Sequence, residues 1–144
     1  MKNILSFLIF TITSITSAQN WETNWDDAIL KAENNNLNIV LVFSGSDWCA
    51  PCIKLDKEIW STSTFQTLAK DHFIMLRADF PRKNKNALSK VIQEQNATLA
   101  EKYNKKGYFP YVAVLNPKGN VLGSLGYKKT TPELYFKSLQ AFEK

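Results

Sequence analysis

The sequence predicts an α/β fold, a central mixed β-sheet flanked by helices, and three observations point to it. Apolar runs of four or five residues alternate with stretches whose apolar residues recur every three or four positions. Two of these runs, near the C-terminal end, flank Asn116-Pro117-Lys118-Gly119-Asn120, a turn sequence that joins antiparallel strands. The two cysteines, Cys49 and Cys52, lie in Trp48-Cys49-Ala50-Pro51-Cys52, directly after the apolar run Ile39 to Phe43, where a strand passes into a helix.

The chain opens with the short basic segment Met1-Lys2-Asn3, a mostly apolar stretch from Ile4 to Ile15, and the small residues Thr16-Ser17-Ala18. Residues 1–18 therefore read as a secretory signal peptide, with cleavage expected after Ala18. The apolar stretch is shorter than the roughly 20 residues a spanning helix needs, and four hydroxyl residues dilute it. No stable membrane insertion is expected once it is cleaved, and the protein is expected in the periplasm or outside the cell. Residues 19–144 then form a single domain, since they are too few for two.

Within that domain, Trp21, Trp25, Ala28, Ile29 and Ala32 mark an amphipathic helix from about Thr23 that stops in Asn34-Asn35-Asn36. Ile39 to Phe43 is a buried strand, and Ser44-Gly45-Ser46-Asp47 is the turn after it. A helix is expected from about Ala50 to Trp60, and a short second one through Phe65, Leu68 and Ala69. Phe73 to Leu76 reads as strand, closed by Asp79-Phe80-Pro81. The basic segment Arg82 to Asn86 leads into a long helix marked by Leu88, Val91, Ile92, Leu99 and Tyr103 and ended by Gly107. Strands Tyr111–Leu115 and Val121–Leu125 form the hairpin, and a last helix starts near Pro132 with Leu134, Phe136, Leu139 and Phe142 on its apolar side. The order is β-α-β-α-β-β-α after a leading helix, which places a mixed sheet between helices.

Composition narrows the function classes. The 44% hydrophobic and 22% charged content is that of an ordinary globular domain. Removing residues 1–18, whose only charge is Lys2, lowers the formal charge from +5 to +4, a mild basic balance. Small clusters at Arg82-Lys83-Lys85, Lys105-Lys106 and Lys128-Lys129 come with no nucleic-acid motif, so no nucleic-acid partner is expected. Two cysteines and the single His72 are too few for a zinc site, which needs about four ligands, and no metal or other cofactor is expected. Two thiolates suit Cu(I), but no methionine or histidine stands in the motif to support them. His72 reads as a surface or strand-edge residue. Asn96-Ala97-Thr98 has the form of a glycosylation sequon, which means little if the source is bacterial, as the signal pattern suggests.

The cysteine pair has three readings: reactive dithiol, structural disulfide, or half of a metal site. Export to an oxidising compartment favours the structural disulfide by default. Yet a bridge that closes only four residues is a poor staple, because the entropic benefit grows with loop length. At a helix start, unpaired backbone N–H groups and the positive dipole end favour an anion, so Cys49 should lose its proton more readily than a free thiol. Pro51 is tolerated in the first helical turn, where its missing N–H has no intrahelical partner.

Strand, Trp48-Cys49-Ala50-Pro51-Cys52, helix, and then Gly107-Tyr108-Phe109-Pro110 leading into a strand together resemble the thioredoxin family. The likeness runs from about Asn38 to the C-terminus. The paired tryptophans, the Ser44–Asp47 turn and the Asp79-Phe80-Pro81 insertion resemble small exported bacterial thioredoxin-related proteins. It implies the thioredoxin fold, a cis bond before Pro110, and thiol–disulfide exchange in which Cys49 attacks and Cys52 resolves. Trp48, Phe109 and Pro110 would then border the substrate. Partners would be disulfide-containing proteins and a thiol electron donor, and the protein would act as a monomer. Proline before Cys52 resembles reducing thioredoxins, whereas oxidases and isomerases of the family tend to carry histidine there. Oxidase or isomerase action and a redox-inert binding role are the alternatives.

Two departures from the family pattern stand out. Reducing thioredoxins carry a buried acid near the end of the strand before the cysteines, and here that region reads Val42-Phe43. Asp56 follows Cys52 by four residues, on the same helical face, and is the candidate for proton transfer in its place; pairing with the nearby Lys54 or Lys57 is the alternative. Tyr111 follows Pro110 where threonine is common, so Phe109 and Tyr111 either widen an apolar docking surface or split between surface and core.

Overall fold

A computed structural model describes residues 20–144, and the expected signal peptide at residues 1–18 lies outside the described residues. Five strands form one sheet in the order β1-β3-β2-β4-β5: β1 (Trp21–Glu22), β2 (Asn38–Ser44), β3 (Phe73–Asp79), β4 (Tyr111–Leu115) and β5 (Val121–Leu125). β1, β3 and β2 are mutually parallel, whereas β4 runs antiparallel to β2 and β5 antiparallel to β4. The mixed sheet follows from the connections. Helical crossovers return the chain parallel, and the Asn116–Asn120 turn reverses it.

β2 is buried along almost its whole length, and its alternation builds two cores. Val40 and Val42 face α2 (Ala50–Leu55), α3 (Ser63–Ala69) and α5 (Pro132–Gln140), packing with Leu55, Phe65, Tyr135 and Leu139. Ile39, Leu41 and Phe43 face α1 (Trp25–Asn35) and α4 (Lys90–Tyr103), packing with Ala28, Ala32, Leu99 and Tyr103. A strand covered on both faces reads as a continuous apolar run, which is why Ile39–Phe43 was recognisable.

Four details depart from the sequence-based expectation. Trp21 does not belong to the first helix: Asn24 caps that helix by accepting the Asp27 N–H, and Trp21-Glu22 pairs instead with Met75-Leu76 of β3. The helix expected to run from Ala50 to Trp60 changes at Asp56 into a π turn, Asp56–Trp60, in which the Ser61 N–H reaches back to the Asp56 carbonyl. That extra residue turns both Ile59 and Trp60 into the core, with Trp60 stacked edge-on against Trp21, Phe65 and Tyr135. α4 starts after Ser89, so Leu88 precedes it, and its Val91 is exposed. It also ends at Tyr103 rather than Gly107, because the Asn104 side chain accepts the Tyr108 N–H and donates to the Tyr108 carbonyl. Gly107 lies in the turn beyond, at φ +66°.

Candidate active site

The site sits at the C-terminal end of β2. After Ser44 the chain turns tightly, with the Trp48 and Cys49 N–H groups both bonded to the Gly45 carbonyl. Gly45 has no room for a side chain, since a Cβ there would stand inside the Trp48 indole. Cys49 occupies the cap position of α2 in extended geometry, and its sulfur accepts the Cys52 N–H at 3.3 Å. The two cysteines are joined as a disulfide, with Cα atoms 5.2 Å apart, so the structure is the oxidised state. Both are buried, while Ala50 and Pro51 between them are exposed. The donor that stabilises a helix start is thus aimed at the Cys49 sulfur, an arrangement that favours thiolate once the bond is reduced.

Three segments distant in sequence meet at Trp48. Its indole N–H donates to the Phe80 carbonyl at 2.7 Å, its ring lies 5.5 Å from that of Phe109, and the Arg82 guanidinium stacks over it at 3.7 Å. Phe80 closes the triangle, 5.4 Å from Phe109. The Phe109–Pro110 peptide bond is cis, and Pro110 is buried. Phe109 therefore stands beside the cysteine motif, while Tyr111 leans on Phe43 at 6.1 Å, away from Trp48. Of the two aromatics, Phe109 is the one placed next to Trp48.

Asp56 lies one turn after Cys52, but its carboxylate is engaged elsewhere. The Arg77 guanidinium donates to one oxygen at 2.6 Å and the Ser61 hydroxyl to the other at 3.0 Å. Arg77, opposite Val42 across the β2–β3 pairing, also stacks on Trp21 at 4.0 Å. Its partner was not evident from sequence, because pairing with nearby Lys54 or Lys57 was the local alternative. Val42 and Phe43, where the family's acid would stand, are buried in the two opposite cores. His72 is half-buried, with its ring against Phe73 and Phe136 and its Nε2 2.7 Å from Glu143. Asn96 of the sequon is buried and donates to the Asp79 carbonyl.

Asp47 is the site residue that sequence reasoning missed, having read it only as part of a turn. It accepts the Arg82 and Lys83 backbone N–H groups at 2.9 and 3.0 Å, and the Asn86 amide at 2.9 Å. The Arg82 N–H, then the Asn86 amide, hold its pKa down to about 2. Asp79 accepts both the N–H and the hydroxyl of Ser46. These two carboxylates tie the segment after β3 to the turn before Cys49. The signal was present, since Asp and Ser in turns favour such local bonds, but their partners here lie more than thirty residues away.

A parallel-and-antiparallel sheet with a C-x-x-C at a strand-to-helix turn and a cis-proline loop beside it defines a thioredoxin-type dithiol site. The thioredoxin-like family model matches residues 20–117, and the chain belongs to that family. It is 32% identical over 108 residues to the disulfide bond reductase DsbH of Chlamydia pneumoniae, covering 75% of this chain and 63% of that protein. It is 26% identical over 83 residues to the thioredoxin-related protein DsbJ of the same organism, 58% of this chain and 23% of the relative. The chain thus spans less than two thirds of these relatives' length. A solved DsbH oxidoreductase superposes with a TM-score of 0.81 at 27% identity, over 95% of this chain and 92% of that one.

Proposed function

We propose that this protein is an exported thiol–disulfide oxidoreductase that reduces disulfides in partner proteins through Cys49 and Cys52. The observation that carries the reading is the Cys49 sulfur at the cap of α2, accepting the Cys52 N–H while bonded to the Cys52 sulfur. A staple needs no such donor, whereas a nucleophile does. Kinship with a protein named a disulfide bond reductase supports the same activity.

In the reduced protein the Cys49 thiolate attacks one sulfur of a substrate disulfide, forming a mixed disulfide and releasing the other substrate sulfur as thiolate. Cys52, losing its proton, then attacks Cys49 and releases the second substrate sulfur. Two electrons pass to the substrate, and the protein is left with the Cys49–Cys52 bond. A dithiol donor reverses that oxidation. Trp48, Phe109 and Pro110 border the nucleophile and would contact the substrate segment. Asp56 is the proposed acceptor of the Cys52 proton, reached by release from Arg77 or through water. Reduction rather than oxidation fits the Ala50-Pro51 pair, because no histidine stands between the cysteines to stabilise the thiolate and make the reduced form unusually favourable. Residues 1–18 serve as the export signal, and residues 19–144 act as one periplasmic or secreted monomeric domain.

The test is insulin disulfide reduction driven by dithiothreitol, together with the potential of the couple. Turnover that disappears in Cys49→Ser, with a potential near thioredoxin's, about −270 mV, is the expected result. No turnover above the dithiothreitol background, or turnover untouched by Cys49→Ser, overturns the activity. A potential near −120 mV overturns the direction.

A further inference from the structure

The segment between β3 and α4 is more than a connection. Arg82, Lys83 and Lys85 are exposed on it, and among the described residues no ion pair engages any of the three. Residues 1–19 contain no acid that could pair with them. The carboxylates that face this segment are Asp47 and Asp79, and both are occupied by backbone, amide and hydroxyl donors. The cationic heads are therefore left for solvent or a partner. Arg82 is also fixed in place, its guanidinium stacked on the ring of the residue before Cys49.

Directly beside these cations lies a groove of about 450 Å³. Phe80, Leu88 and Ala97 give it apolar walls, and Arg82 and Lys83 stand at its lip. Asp47 pins the backbone at Arg82 and Lys83 to the turn that carries Trp48 and Cys49, so groove, cations and nucleophile are held in one frame. A partner meeting such a surface loses little further freedom in ordering it.

We propose that the Phe80–Leu88 segment is a substrate-docking surface, fitted to an extended polypeptide segment that carries acidic residues beside its disulfide and places one apolar side chain in the groove. Charge complementarity identifies the occupant: Arg82 and Lys83 at the lip and Lys85 further along the segment are cations without an acid partner, and they flank a groove with apolar walls that is tied to the turn carrying Cys49. Complementary charge at such a rim acts mainly on encounter rate and partner choice, and it weakens with salt. This inference rests on the reductase reading and adds a substrate class to it.

The experiment compares kcat/KM for matched cystine peptides that differ only in flanking Glu, Gln or Lys, at low and at 0.5 M salt, with 2-hydroxyethyl disulfide as an uncharged substrate. For the wild type the Glu peptide should be reduced about tenfold faster than the Lys peptide at low salt, with most of that ratio lost at high salt. In the Arg82→Gln/Lys83→Gln/Lys85→Gln triple variant the ratio should fall toward one, whereas Lys128→Gln/Lys129→Gln should keep it. Because the readout is a ratio within each variant, partial loss of folding or of overall rate does not obscure it. Equal rates for the three peptides in the wild type overturn the docking surface, as does a preference that survives the triple variant or that the distal pair removes equally well. Preferential reduction of oxidised glutathione over every peptide also overturns it, in favour of a small anionic substrate. Absence of turnover on all substrates, 2-hydroxyethyl disulfide included, instead marks failure of the reductase reading.

Discussion

Adding one methyl group at Gly45 tests how the cysteine motif is held. A Cβ at that position overlaps the Trp48 indole, which is flanked by Phe109 and Arg82 and cannot tilt without leaving its partners. Displacing the ring removes the indole hydrogen bond to Phe80, about 1 kcal/mol net. It also weakens the aromatic pair with Phe109, about 0.5–1.5 kcal/mol, and the Arg82 stack, about 0.5–1 kcal/mol. Against these, alanine restricts the unfolded chain and returns about 0.4–1 kcal/mol. Gly45→Ala should therefore lose about 2 kcal/mol. At roughly 3–5 °C per kcal/mol for a domain of this size, Tm should fall by about 6–10 °C. Calorimetry on the oxidised protein gives the melting temperature, and iodide quenching of tryptophan fluorescence reports the newly exposed indole. A melting temperature within about 1 °C of wild type, with unchanged quenching, would refute the packing argument.

Other substitutions separate neighbouring effects. Gly107→Ala has open space around the added carbon but a left-handed backbone, so it should cost about 1 kcal/mol through conformation alone and leave insulin reduction unchanged. Asp47 has a folded pKa of about 2 against an ordinary 3.8, so its tether contributes stability fully above pH 3.8 and loses it as pH falls through 2. Amide-exchange protection at Arg82 and Lys83 should disappear over that window, and Asp47→Asn should abolish the pH dependence. Tyr135→Phe removes the buried hydroxyl that donates to the Gly126 carbonyl at 2.9 Å, and should lower the urea midpoint by the equivalent of about 1 kcal/mol with m unchanged. Asp56→Asn should slow resolution of the mixed disulfide at least tenfold near neutral pH, measured by rapid quench; a rate equal to wild type at every pH removes Asp56 from proton transfer.

What could be read from the sequence was local or strongly periodic. The buried strand Asn38–Ser44, the hairpin strands and the final helix each carry their signal within a dozen residues, and the cysteine motif is contiguous. Tertiary competition decided what was misread. Trp21 fits a helical spacing with Trp25, but the Asn24 cap and the exposed edge of β3 draw it into a two-residue strand too short to leave a pattern. The π turn at Asp56–Trp60 has no periodic signature, since it satisfies Trp60's contacts with Trp21, Phe65 and Tyr135 from three other elements. The partners of Asp47 and the arginine partner of Asp56 lie 21 to 39 residues away, and side-chain spacing cannot reveal an acceptor whose donors arrive from another element.

Nucleophile and rim are mechanically one unit. The Gly45 carbonyl fixes the Cys49 N–H, and two residues further on Asp47 fixes the N–H groups of Arg82 and Lys83. Between them Trp48 is held by three distinct constraints: a hydrogen bond from its indole N–H to the Phe80 carbonyl, a guanidinium over its face, and Phe109 against its ring. The constraints come from two stretches of chain, Phe80–Arg82 and the loop at Phe109, so no single stretch sets the indole's orientation. A substrate that pulls on Arg82 or fills the groove beside Phe80 therefore acts on the same five-residue turn that presents Cys49. Binding at the rim and placement of the attacking sulfur are coupled through that turn, and a change in one should be read as a change in the other.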